Sequence, residues 1–160
     1  MVINSLSEWI AVLDDAGELI RISAEVDPKL ELSEIVDRIS KEQGAPNRAV
    51  LFENVKGSAL PVFVNAFGSR ERVGLSLGVN SMEDHAARLE DLLEQSPPEG
   101  LLEKLKMLPK LAQVGKWFPK KVSSSPCQEV VLKGDDVDLG LLPVLTTWPD
   151  DAGPFITFPL

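Results

Sequence analysis

One cysteine and one histidine stand in 160 residues, and that scarcity closes off several kinds of chemistry. Cys127 has no second cysteine for an internal disulfide and cannot build a zinc cluster by itself. As a nucleophile it would need a base, and no histidine is nearby in sequence, so it reads as a partly buried thiol beside a strand. The lone His85 supplies no HExxH, no paired-histidine ligand set and no Ser/His/Asp order. Early on an expected helix, it reads as a surface residue or one satisfied by a partner. The triphosphate-binding pattern GxxxxGK[ST] is absent as well. No apolar run approaches the ~18 residues of a membrane span, and MVINSLSEWI has no basic segment followed by an apolar one, so the expected location is cytoplasmic. Lys and Arg number 16 against 25 Asp and Glu, a formal charge of -9. A phosphate backbone is held by clustered basic side chains, so general nucleic-acid binding is not expected.

What is present is ordinary globular material, 44% apolar and 26% charged, enough for one domain with its own core. Ser5-Leu6-Ser7-Glu8 has capping-box spacing, with Leu6, Trp9, Ile10 and Leu13 at helical intervals and Gly17 placed to end the helix in the left-handed region. Leu19 to Ile22 alternates as a short edge strand. Asp27-Pro28 offers a cap and a first-turn proline, and Leu32, Ile35, Val36 and Ile39 make an apolar stripe on a helix from about Leu30 to Gln43. That stripe needs a sheet, supplied by Ala49 to Phe52 and Pro61 to Asn65 around a turn at Lys56-Gly57-Ser58. The pattern predicts a small layered α/β or α+β domain.

Beyond the sheet, Arg70 to Leu77 reads as one or two helical turns, with Val73 and Leu77 inward and Arg70 and Arg72 toward solvent. An arginine pair after Gly68-Ser69 allows an anion-cradling reading, but surface charge or an inter-domain ion pair is the better one. Ser81 and Asp84 have capping-box spacing, and Met82, Ala86, Leu89 and Leu93 give the next helix an apolar face ending near Ser96. Pro97-Pro98-Glu99-Gly100 then punctuates the chain. From Leu101 to Val122, Lys104, Lys106, Lys110, Lys116, Lys120 and Lys121 oppose only Glu103. Such a basic, apolar-faced run could lie on a membrane surface, but with Pro109 and Pro119 breaking it, packing across an acidic domain of its own chain is the better reading. It also leaves open a self-standing interaction or scaffolding domain that binds a protein through this run.

The last block, EVVLKGDDVDLGLLPVLTTWPDDAGPFITFPL, reads as a strand at Glu129 to Lys133, a turn at Gly134-Asp135-Asp136, an apolar segment from Val137 to Leu145, a turn from Trp148 to Gly153 and a new strand from Pro154. Asp135, Asp136, Asp138, Asp150 and Asp151 offer oxygen ligands, but the twelve-residue loop with a closing Glu is missing, and turn carboxylates commonly cap backbone amides. Trp148 and Phe155 read as core or domain-interface aromatics. A strand closing on Pro159-Leu160 is expected to open a domain whose body lies further on.

The run GDDVDLGLLPVLTTWPDDAGPFIT, with Pro126-Cys127-Gln128 before it, resembles the UbiD family of decarboxylases. So do LFENVKGSALPVFVNAFGSRERVGLSLG and the opening helix ending AGELIRI, so the resemblance covers nearly the whole chain. It implies the amino-terminal third of a longer protein: an amino-terminal α/β domain over 1–96, a basic connector over 97–127, and over 128–160 the first strands of a split β-barrel that binds prenylated FMN. It further implies non-oxidative decarboxylation of aromatic or α,β-unsaturated acids, polyprenyl-4-hydroxybenzoate among them. A divalent cation, typically manganese, bridges protein and cofactor phosphate in such proteins. A flavin prenyltransferase supplies the cofactor, and the full-length protein is expected to be a homo-oligomer. The arginine and two glutamates that handle carboxylate and protons are expected beyond residue 160, so no catalytic or metal residue maps onto this chain. Thr157, on the strand that borders flavin and substrate, is the one cofactor-binding candidate. The isolated 160-residue chain is expected to be inactive.

Overall fold

The computed structural model describes residues 3–79, 81–93, 118, 119, 121–154 and 156. Helix α1 (Leu6–Asp15) opens at Ser5, whose Oγ accepts the Glu8 amide at 3.1 Å. The Glu8 carboxylate reaches back one residue further than the expected box, to the Asn4 amide at 2.7 Å. Gly17, at φ 71°, turns the chain out of the helix, a conformation open to glycine without steric cost. Strand β1 (Leu19–Val26) is longer than the alternation to Ile22 suggested, because a register shift between Ile22 and Glu25 lets pairing resume past the irregularity. Helix α2 (Glu31–Lys41) crosses to β2 (Ala49–Val55), and β1 and β2 run parallel. A parallel pair needs such a crossover. Gly57, at φ 78°, then folds β2 back onto the antiparallel β3 (Val62–Val64), giving the sheet order β1-β2-β3.

Side chains of β2 alternate between two cores. Val50 and Phe52 join Val26, Leu32, Val55 and Val62 on the face covered by Ile35, Val36 and Ile39 of α2. Ala49 and Leu51 join Trp9, Leu13 and Leu19 on the face covered by α1. The result is a three-layer α/β sandwich, the mixed fold expected from the sequence. Leu6 belongs to the expected stripe of α1 but stays exposed. The core of α1 is Trp9 and Leu13.

Helices α3 (Arg70–Leu77) and α4 (Met82–Leu93) follow. Ser69 caps α3 and Gly78 ends it at φ 63°, while Ser81 Oγ accepts the Asp84 amide at 3.0 Å at the start of α4. The expected orientation of α3 is reversed at two positions: Leu77 is exposed and Arg72 is fully buried. Leu89 and Leu93 on α4 are exposed too.

The chain divides into two compact units, Met1–Ala86 with Asp138–Leu160, and Ala87–Val137. In the second unit the expected strand at Glu129 to Lys133 is absent. Short 3-10 turns occupy Pro126–Gln128 and Gly134–Asp136, and Val130, Val131 and Leu132 between them are exposed. Alternating apolar residues become a strand only where another strand takes their ladder of hydrogen bonds, and among the described residues none does. In the first unit, the expected apolar run from Val137 contains a further 3-10 turn, Leu139–Leu141, with its leucines exposed. Only Leu145 reaches the α2-side core. The basic stretch and the strand from Pro154 fall mostly outside the described residues.

Phe52 lies at the centre of the α2-side core with no accessible surface. Phe52→Ala should cost about 3–5 kcal/mol in urea unfolding, whereas Leu6→Ala, at an exposed site, should stay within about 0.5 kcal/mol.

Candidate functional site

Residues 142–153 return to the sandwich. Their anchor is a parallel bridge between Lys29 and Thr146. The Leu30 amide donates to Thr146 O at 2.9 Å and the Thr146 amide donates to Pro28 O at 3.3 Å. The receiving loop is itself fixed. Asp27 Oδ1 accepts the Lys29 amide at 2.9 Å, Asp27 Oδ2 takes Lys56 Nζ at 2.9 Å, and Glu31 Oε2 accepts the Asp27 amide at 2.7 Å. The Lys29 amide first, and then Lys56, hold the Asp27 carboxyl below the usual carboxylate range. Helix α2 begins at Glu31, after a Leu30 at φ 69° and ψ -44° with no side-chain cap. Asp27 therefore does not cap the helix at its first residue, as the sequence suggested, and Pro28 and Leu30 instead exchange hydrogen bonds with Thr146.

The turn after Thr146 is closed by one carboxylate. Asp151 Oδ2 accepts the Thr147 amide, the Thr147 hydroxyl and the Trp148 amide, each at 2.9 Å. The Trp148 amide is the largest cause holding the Asp151 carboxyl below its usual range, opposed by desolvation and assisted by Thr147. Three donors on one oxygen fix the chain direction through the expected turn from Trp148 to Gly153.

Between α2 and this turn lies a groove of about 720 Å³, lined by Leu32, Val36, Val64, Leu145 and Trp148 and by the acidic side of α2. Of its carboxylates, Glu34 is paired with Arg38 and Asp37 with Lys41, while Glu31 accepts the Asp27 amide. The groove thus presents mainly apolar surface. Trp148 is 64% exposed, so within the described residues it is a groove wall and not a core aromatic.

The arginine pair separates in role. Arg70 is exposed, while Arg72 enters the sandwich, its Nη1 donating to Glu18 Oε2 at 2.9 Å and to the Asn47 carbonyl, and its Nη2 to Asn47 Oδ1 at 3.3 Å. Asn65 Nδ2 joins the same Asn47 Oδ1 at 2.6 Å and the Arg48 carbonyl at 2.7 Å. Gly68 completes the packing: a Cβ there would stand 1.9 Å from Asn65 Oδ1. Ser69 Oγ is used on the Arg72 amide. These commitments leave Arg72 and Ser69 unavailable to cradle an anion. Glu18 and Asn47 lie far from Arg72 in sequence, so no local spacing could have revealed the network.

Cys127 is exposed, with Sγ 3.1 Å from Ser125 Oγ, and not the partly buried thiol expected, because the strand meant to cover it did not form. His85 is half-buried on α4, and its Nδ1 has no partner among the described residues. Asp138 Oδ1 caps the Gly140 amide at 2.8 Å. Among the described residues no group of three or more His, Cys, Asp or Glu side chains could hold a metal ion, so these donors do not fit a cation site. No helix among them is long and apolar enough to cross a membrane. Thr157 lies outside the described residues.

Residues 10–93 match the 3-octaprenyl-4-hydroxybenzoate carboxy-lyase N-terminal domain, and residues 120–160 match the Rift-related domain of the same carboxy-lyase. Among solved structures, vanillic acid decarboxylase of Sedimentibacter hydroxybenzoicus in its open form is 26% identical at a TM-score of 0.72, over 96% of this chain and 30% of that one. The UbiD-class enzyme HmfF of Pelotomaculum thermopropionicum in complex with FMN is 28% identical at a TM-score of 0.62, over 94% of this chain and 28% of that one. An evolved dimeric form of HmfF in complex with prFMN is 29% identical at a TM-score of 0.61, over 94% and 30%. The 3,4-dihydroxybenzoic acid decarboxylase of Enterobacter cloacae, in its apo structure, is 28% identical at a TM-score of 0.65, over 96% and 30%. The chain spans less than a third of the length of each.

Two outcomes test the site's internal logic. Arg72→Met should cost about 3 kcal/mol, the lower end for a broken buried pair, because Glu18 keeps 24% of its side-chain surface accessible; Arg72→Lys should not restore the loss, since an ammonium cannot supply the fork. For Asp151 the folded value is depressed, so its contribution is complete above the ordinary carboxylate value and disappears as pH falls through the lowered one. Tryptophan fluorescence should accordingly shift on acidification below about pH 4, and Asp151→Asn should remove that part of the titration.

Proposed function

The chain belongs to the UbiD family of carboxy-lyases, and on that premise we propose that it is the amino-terminal part of a non-oxidative decarboxylase of aromatic or α,β-unsaturated carboxylic acids that uses prenylated FMN. The observation that carries this reading is the order of the two matched segments, an amino-terminal domain followed by a Rift-related one, with residues 142–153 of the second segment hydrogen-bonded to the first through Thr146. Relatives solved with FMN and prFMN, and others that decarboxylate hydroxylated aromatic acids, support the cofactor and substrate class. When bound, the modified flavin supplies an electron sink for loss of carbon dioxide, and the protein's part is to position it.

In this proposal residues 1–96 form the supporting domain, 97–127 the connector, and 128–160 the start of a split β-barrel. The unmatched interval between residues 93 and 120 supports that division. Thr157 borders the flavin. The divalent cation, the carboxylate-binding arginine and the proton-handling glutamates are assigned to the remainder of the full-length protein. The same reading makes that protein a cytoplasmic homo-oligomer supplied with cofactor by a flavin prenyltransferase. Polyprenyl-4-hydroxybenzoate is one substrate within the class.

The test is reconstitution. The full-length protein with prenylated FMN should show a protein-bound flavin spectrum and release carbon dioxide from an aromatic or enoic acid, and Thr157→Val should weaken flavin binding about tenfold, the size of one hydrogen bond to a charged group. Residues 1–160 alone should bind flavin weakly or not at all and be inactive. A tight stoichiometric flavin complex of that fragment, or no carbon dioxide from any such acid with flavin bound to the full-length protein, would defeat the proposal.

A further inference from the structure

Two hydrogen-bonding schemes compete for the same backbone between Asp27 and Leu32. Asp-Pro is the chemistry of a helix start, with Asp as cap and Pro at the first position, and Asp27 Oδ1 does accept the Lys29 amide as a cap would. A helix begun there would send the Leu32 amide to Pro28 O. Instead the Leu32 amide passes to Asp27 O at 3.2 Å, and Pro28 O receives the Thr146 amide. The Leu30 amide would be an orphan donor of a first helical turn, but here it goes to Thr146 O. The slack is absorbed by Leu30 at φ 69° and ψ -44°, where the Glu31 amide closes a three-residue turn on Lys29 O at 2.9 Å. For a residue with a side chain this conformation is rare and strained, and it persists only when its surroundings impose it.

We propose that Leu30 is a strained latch: seating of Thr146 draws Pro28 to Leu30 out of the first turn of α2, and release of Thr146 lets them wind into it. The length of α2 then reports whether the return segment is seated. Leu30, Thr147 and Trp148 all line the groove beside α2, so the two states present different groove walls. Anything bound there shifts the latch only by its preference between those walls. The proposal concerns the backbone of this chain and stands apart from the decarboxylase reading, since it names neither cofactor nor substrate.

Hydrogen exchange with mass spectrometry on the full-length protein tests it, following peptides over residues 27–33, 34–41 and 143–149. Glycine takes positive φ without strain and weakens a helical first turn, so Leu30→Gly should slow exchange around Thr146 about tenfold. Proline cannot adopt positive φ and offers no amide to Thr146, yet it fits a first helical turn. Leu30→Pro should therefore speed exchange around Thr146 at least about tenfold while residues 34–41 keep their protection. Unchanged or faster exchange around Thr146 in Leu30→Gly would overturn the latch. So would loss of α2 protection, or failure to fold, in Leu30→Pro, because a rigid structural turn predicts both.

Discussion

Strand β2 is the constraint on which the rest of the sandwich depends. It is the middle strand, it pairs on both edges, and its side chains feed both cores. A strand buried on both faces reads as a near-continuous apolar run, and Ala49 to Phe52 is that run. Parallel pairing with β1 forces the chain to cross over between them, which gives α2 its place. The fold back to β3 brings Asn65 under the buried guanidinium of Arg72 by way of Asn47. The geometry of the groove and of the return segment follows from where α2 has been put.

Much of this was legible in the sequence because it is written in local spacing. The Ser5 and Ser81 caps, the Gly17 stop, the stripe of α2 and the turn at Gly57 all depend on residues within a few positions of one another. What was not legible depends on distant partners. Arg72 looks like surface charge until Glu18 and Asn47 are folded beside it. The helix start at Asp27-Pro28 is overridden by Thr146, a residue more than half the chain away. Glu129 to Lys133 has the composition of a strand but no partner among the described residues, and composition cannot provide one. Thr157 was reached through resemblance alone.

The site divides its labour between polar fixation and apolar contact. Carboxylates at Asp27 and Asp151 collect backbone amides and so determine direction, whereas Leu32, Val36, Val64 and Leu145 provide a surface that other apolar groups can cover. A buried polar network is stable when its members are satisfied. The Arg72 cluster meets that condition on its terminal nitrogens and leaves only Nε unpartnered. It joins the start of β1, the loop before β2 and the start of α3, so the sheet's end nearest Glu18 is held by hydrogen bonds beside the α1-side core.

The bridge from Lys29 to Thr146 also has a cost in chain entropy. Pairing Leu19 with Ala49 closes a loop of about 30 residues, while pairing Lys29 with Thr146 closes one about four times longer. Since each doubling adds only about 0.6 kcal/mol, the longer closure is dearer by roughly 1 kcal/mol. Against it the return segment sets two backbone hydrogen bonds and the side chain of Leu145, where the sheet has two paired edges and two cores. The two bonds at Thr146 are therefore expected to open by local fluctuation before the ladder of β1 and β2 does.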